Sequence, residues 1–261
     1  MAALAGSLYL LSTAAFSLLA ILIGVRLFRL SRRTGRAPER SLGLGIALTA
    51  GLGYGLLMSA VVARQTMGAA TQPIFAWIMA AGWIFHNTGV MFILDFVRRV
   101  FRPEESWAGA LWYTMALVLW GGSFADMLSG GLTATQPGGF YWVAFSVIGT
   151  YPIWTGAESF RYWQLMRRRV ALGLAEPLVA NRFLLWSIAS ACTVASIWMV
   201  NAPIFLGYEP GSEAEAFARS ISMLITSAFG IATICTYWLT FFPPAWYSSR
   251  FPAGASRLEN A

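Results

Sequence analysis

Long apolar runs alternate along this chain with short segments rich in arginine or glycine. A helix needs about 20 mostly apolar residues to cross the hydrocarbon layer of a bilayer. Seven runs reach that length, over residues 6–29, 42–64, 73–97, 107–129, 139–165, 183–205 and 217–241. The pattern predicts an all-α polytopic membrane protein: one seven-helix transmembrane domain over 1–247, followed by a short tail at 248–261. No connection is long enough to fold alone, so an enzymatic or output module would be a separate chain.

Composition sharpens this. Hydrophobic residues make up 57%, charged residues 11%, and the mean hydropathy is +0.61. A soluble domain carries about 25% charged residues; this chain could not cover a water-facing surface. All 18 basic residues are arginine. Without lysine there is no amine for a Schiff base, which excludes covalently bound retinal; any other cofactor is left unknown. Cys192 and Cys235 sit inside apolar runs with no metal-type spacing, and no metal site is expected.

The arginines also set a direction. Arg26, Arg29, Arg32, Arg33, Arg36 and Arg40 fall within or just after the end of the first run. Arg98, Arg99 and Arg102 follow the third. Arg161, Arg167, Arg168, Arg169 and Arg182 lie between the fifth and sixth, and Arg250 and Arg257 lie in the tail. Only Arg64 and Arg219 fall on the opposite side. The positive-inside rule then gives N-terminus out and C-terminus in. No positive segment precedes the first run, so it reads as a retained helix rather than a cleaved signal peptide. The expected location is a bacterial inner (plasma) membrane, multi-pass. The net charge of +7 is thereby a topology signal, and nucleic acid is not an expected partner. The outer connections are small and nearly uncharged, except for Glu209, Glu213 and Glu215. Two of them repeat Ala-Thr-Gln-Pro, at Ala70–Pro73 and Ala134–Pro137, which is either a trace of duplication or chance in a narrow alphabet.

Gly51 and Gly55 have GxxxG spacing, which lets another helix backbone approach. The approach could serve packing within the bundle or a homo-oligomer. Pro152 and Pro203 should disturb local helix hydrogen bonding. Ionisable groups inside a bilayer are costly, so each is a candidate site. His86, the only histidine, is followed by Asn87 and shares a helical stripe with Trp83. It could titrate, bind a ligand or hold a metal, or be a neutral imidazole bonded to a neighbouring helix. Tyr151, Trp154, Glu158 and Arg161 fall on one face. That face is either an aromatic-lined pocket with an acid at its floor or the seat of a Glu158–Arg161 ion pair. Asp126, and Asn201 beside Trp198 and Pro203, either rim an outward opening or snorkel to outer water. Asp95 should join Arg98 and Arg99 in a charge cluster. The candidate ligand-binding set is therefore Trp83, His86, Asn87, Tyr151, Trp154, Glu158, Trp198 and Asn201. No GxSxG, HExxH or Walker pattern is present, so no catalytic residues are assigned and enzymatic activity is unsupported.

Seven helices, N-out and C-in, in about 260 residues resemble the layout of microbial rhodopsins and, more loosely, of larger seven-helix receptors. Asp95-Phe96-Val97-Arg98 and Pro243-Pro244-Ala245-Trp246-Tyr247 resemble receptor elements at the inner ends of helices three and seven, with different spacing. The last run, at Leu224–Gly230, lacks the lysine of a retinal protein. The expected function is a receptor-like or sensory bundle. It would bind a small molecule within the membrane and signal through the inner arginine loops to a separate cytoplasmic partner or anionic lipid. The alternatives are a transporter or channel for a small neutral or apolar solute, and a structural subunit of a membrane complex.

Overall fold

The computed structural model describes residues 2–67, 72–132, 137–209 and 211–251. They form α1 (Ala2–Thr34), α2 (Ala37–Ile46), a π-helical turn (Ala47–Gly53), α3 (Tyr54–Met67), α4 (Gln72–Phe101), α5 (Ser106–Leu128), α6 (Gly139–Ala171), α7 (Pro177–Phe205), α8 (Glu213–Phe241) and α9 (Ala245–Ser248), with no strand among them. Half of the first Ala-Thr-Gln-Pro segment and most of the second lie outside the described residues, as does Arg257.

Among the described residues, six segments are long and apolar enough to cross a membrane: Leu4–Thr34, Ala37–Ala60, Pro73–Phe101, Ser106–Leu128, Pro177–Phe205 and Glu213–Phe241. They mark the chain as a membrane protein. The run expected at 139–165 forms most of α6, but α6 is not among the six. Its 33 residues suffice in length. Its tyrosines, tryptophans, glycines and Pro152, followed by Glu158 and Arg161, lower its apolarity. The helix runs through Pro152 without ending there, whereas α7 ends two residues after Pro203.

The chain divides into two compact units, residues 10–151 and residues 1–9 with 152–261. In the first, α4 packs against α2, the π turn, α3 and α5. Within a bilayer no hydrophobic force drives helix against helix, so close backbone approach carries the packing. The span expected at 42–64 is not one uniform helix: the π turn interrupts it. A Cβ added to Gly53 would lie 2.5 Å from the backbone nitrogen of His86, and one added to Gly89 would overlap Thr49. Gly51 faces Ile21 of α1 and Gly55 faces Ser17, so the GxxxG pair serves contact inside the unit. Accordingly α1 buries Ser12, Thr13, Ala20 and Ile23, and exposes Leu11, Leu18, Leu22 and Val25. The buried face of α1 mixes small and polar residues with Leu19, Ile23 and Leu27.

In the second unit α7 and α8 pack along their lengths. The Ser222 hydroxyl donates to the Met199 carbonyl oxygen, and the rings of Trp186 and Phe241 meet 6.1 Å apart. Gly156 lets α6 approach α7 at Ser190, where an added Cβ would lie 3.0 Å from the serine Cβ. The start of α8 is capped. Ser212 accepts the Glu215 N–H at 3.1 Å and the Glu215 carboxylate accepts the Gly211 N–H at 2.7 Å; Glu213 and Glu215 both favour the positive helix start. Beyond α8, Asn181 donates to the Tyr247 hydroxyl at 2.5 Å, tying α9 to the start of α7.

Candidate functional site

The most built polar site in the first unit lies halfway along α4. Here α4 runs antiparallel to the π turn, with Gly45 opposite Ile93, Thr49 opposite Gly89 and Gly53 opposite His86. The absent side chains at Gly53 and Gly89 let the two backbones nearly touch. His86 Nδ1 then reaches the Thr49 carbonyl oxygen at 3.3 Å, and the Thr49 hydroxyl donates to the His86 carbonyl oxygen at 3.4 Å. A carbonyl oxygen can only accept, so Nδ1 carries the proton. In a neutral imidazole Nε2 is then a bare acceptor. Nε2 is buried and has no hydrogen-bond partner among the described residues.

Asn87 repeats the pattern. It is fully buried, and its amide nitrogen donates to the Ser123 hydroxyl of α5 at 2.8 Å. Its Oδ1 is left without a partner among the described residues. Consecutive residues of α4 thus each hold one bond to a neighbouring helix and one unsatisfied acceptor. An unmet buried polar atom costs about 1–3 kcal/mol. Trp83 stands edge-on to His86, ring centres 5.9 Å apart, and Tyr141 edge-on to Trp83 at 6.2 Å.

The eight candidates do not form one cluster within either unit. Trp83, His86, Asn87 and Tyr151 belong to the first; Trp154, Glu158, Trp198 and Asn201 belong to the second. In the first, Trp83, His86 and Asn87 come together, and Tyr151 is buried. In the second, Glu158 is buried and its Oε2 lies 3.5 Å from Nη1 of the half-exposed Arg161. The Asn201 amide donates to the Ile197 carbonyl oxygen at 3.0 Å, one turn back. Trp198 is exposed and stacks on Phe205 at 5.5 Å.

Two aspartates elsewhere have local partners. Asp95 accepts from Arg98 at 2.9 Å, from Arg99 through both oxygens at 2.8 Å, and from the Ser41 hydroxyl at 3.4 Å. Arg98 also lies over the Trp112 ring at 5.7 Å. Asp126, a candidate rim residue, accepts the Tyr141 backbone N–H and so caps the start of α6. No group of three or more histidine, cysteine or acidic side chains that could hold a metal occurs among the described residues.

Thr49, Ser123 and Tyr141 complete the site and were not among the candidates. Threonine, serine and tyrosine are ordinary in such helices, and only the glycines at 53 and 89 hinted at where backbones meet. No family model, no curated protein and no solved structure matches the chain.

Proposed function

We propose that the chain is a receptor-like sensory bundle of seven crossings, N-out and C-in, in a bacterial inner membrane, and that it holds a small uncharged molecule at His86 and Asn87. The observation that carries this reading is the pair of buried acceptors left open on consecutive residues. Both open atoms accept, so the ligand donates, through a hydroxyl or an N–H. Both acceptors are covered by protein, so occupancy requires neighbouring side chains or helices to yield. That couples binding to a shift in population between two arrangements. The π turn supports this, since such turns recur at functional positions in helices.

The seventh crossing, α6, is supported by its aromatic residues. Trp142 and Trp163 are about 31 Å apart along a straight helix at 1.5 Å per residue. That matches the roughly 30 Å hydrocarbon layer with one tryptophan at each interface.

Native mass spectrometry of the purified chain tests the assignment. A non-lipid small molecule should accompany the wild type and be lost from His86→Ala and Asn87→Ala while both remain folded. Equal spectra for all three would overturn it. A second reading, transport of a small neutral solute, draws on α8, where Ser222, Thr226, Thr233 and Thr240 are buried on one face. Solute flux into proteoliposomes that falls when these hydroxyls are replaced, but is unaffected at His86, would favour it.

A further inference from the structure

The turn between α6 and α7 presents leucines to solvent. Leu172 is 73% exposed and Leu174 is 74% exposed, on either side of Gly173, whose positive φ of 72° makes the reversal. Immediately before them, Arg167, Arg168 and Arg169 are all exposed. Arg167 lies over the Trp163 ring at 5.0 Å, and none of the three pairs with a carboxylate among the described residues.

Distance along α6 decides what these residues can meet. With Trp163 at the interface, Ala171 lies about 12 Å further on. The headgroup layer on each side is only about 5–7 Å thick. A tilt of about 20° shortens the reach by less than a tenth. The arginines therefore stand at the outer edge of the headgroups, and the leucines stand beyond them in water. Exposed leucines beyond the reach of lipid and flanked by unpaired cations fit a protein surface better than a membrane surface.

We propose that this elbow docks a cytoplasmic protein segment that is acidic and carries apolar or aromatic side chains. The acidic groups would pair with Arg167, Arg168 and Arg169, and the apolar ones would cover Leu172 and Leu174. The proposal rests on the N-out, C-in reading with α6 as a crossing.

The test uses the full chain in vesicles, with Cys192 and Cys235 changed to serine and a polarity-sensitive fluorophore on Ala171→Cys. A random glutamate–tyrosine copolymer should shift its emission saturably. Polyglutamate should bind about tenfold more weakly, and so should the copolymer with Leu172→Ser/Leu174→Ser or with all three arginines changed to glutamine. Equal binding of the two polymers, or unchanged binding by the leucine variant, would overturn the proposal. So would an emission shift produced by phosphatidylglycerol vesicles alone and absent in phosphatidylcholine, which would make the occupant a lipid surface. Separately, Ala171→Cys should resist an impermeant maleimide in intact cells and react after permeabilisation. Labelling in intact cells would sink the orientation, while polymer binding still reports on the docking surface itself.

Discussion

His86 and Thr49 bind each other twice. The imidazole Nδ1–H donates to the Thr49 carbonyl oxygen at 3.3 Å, and the Thr49 hydroxyl donates to the His86 carbonyl oxygen at 3.4 Å. The first bond fixes the imidazole tautomer, because the acceptor is backbone. The chain has one histidine, so a ¹⁵N-histidine spectrum reports on this ring alone. It should show Nδ1 protonated and Nε2 bare. Thr49→Val keeps the carbonyl and should keep that tautomer. A protonated Nε2 with a bare Nδ1 would contradict the geometry.

The same contact depends on what is missing at position 53. Gly53→Ala places a methyl group 2.5 Å from the His86 backbone nitrogen, where no side-chain rotation relieves it. Overpacking of this kind costs about 1–3 kcal/mol. Gly121 in α5 has nothing within 4 Å of its added Cβ, so Gly121→Ala should be neutral or slightly stabilising through helix propensity. Thermal unfolding in detergent should separate the two variants. Equal midpoints would mean that the backbones are further apart than described.

These positions also mark how far the sequence could be read. The apolar runs were legible because a bilayer demands about 20 such residues in any helix that crosses it. Asp95 with Arg98 and Arg99 was legible because spacings of three and four on a helix bring side chains together regardless of the rest of the fold. Thr49 was not legible. Its role comes from the π turn and from which residue of α4 lies opposite, and neither leaves a local mark. The bond of Asp126 to the Tyr141 N–H was not legible, because Tyr141 lies on the next helix. The candidate set of eight joined residues by shared chemistry, and the chain distributes them over two units.

Asn87 and Ser123 supply a measure of polar packing in the first unit. Asn87→Ala removes a 2.8 Å bond between α4 and α5 at a fully buried position. Interhelical hydrogen bonds in membranes contribute about 0.6 kcal/mol on average and up to about 1.7 kcal/mol. A double-mutant cycle with Ser123→Ala should give a coupling energy in that range. Strict additivity of the two variants would show that the bond contributes nothing to stability.

Asp95 gathers the charges at the arginine-rich end of α4. Asp95→Asn should lower stability by about 1 kcal/mol in low salt, the upper part of the range for half-exposed pairs, since Arg99 is 56% exposed. Added salt should shrink the difference, because it screens the exposed partner. A loss that is independent of salt would place the carboxylate's contribution in the Ser41 bond instead.

The number of crossings bears on every statement about direction. If α6 crosses, seven passes put the two chain ends in different compartments; if it does not, six passes put them together. Alkaline-phosphatase and fluorescent-protein fusions at each end distinguish these outcomes, and a fusion after Ala171 tests α6 directly. The aromatic residues at Trp142 and Trp163 favour crossing, as does the arginine count, with sixteen of eighteen on one face only when α6 is included. Were α6 to lie on the membrane instead, Arg161, Arg167, Arg168 and Arg169 would stand on the side opposite Arg98 and Arg99, and α7 and α8 would both invert relative to α4. Arg219 would then fall on the arginine-rich side and Arg250 on the opposite one. An enzymatically active phosphatase at the C-terminus would therefore remove the seven-span reading and, with it, the placement of the leucine turn in the cytoplasm.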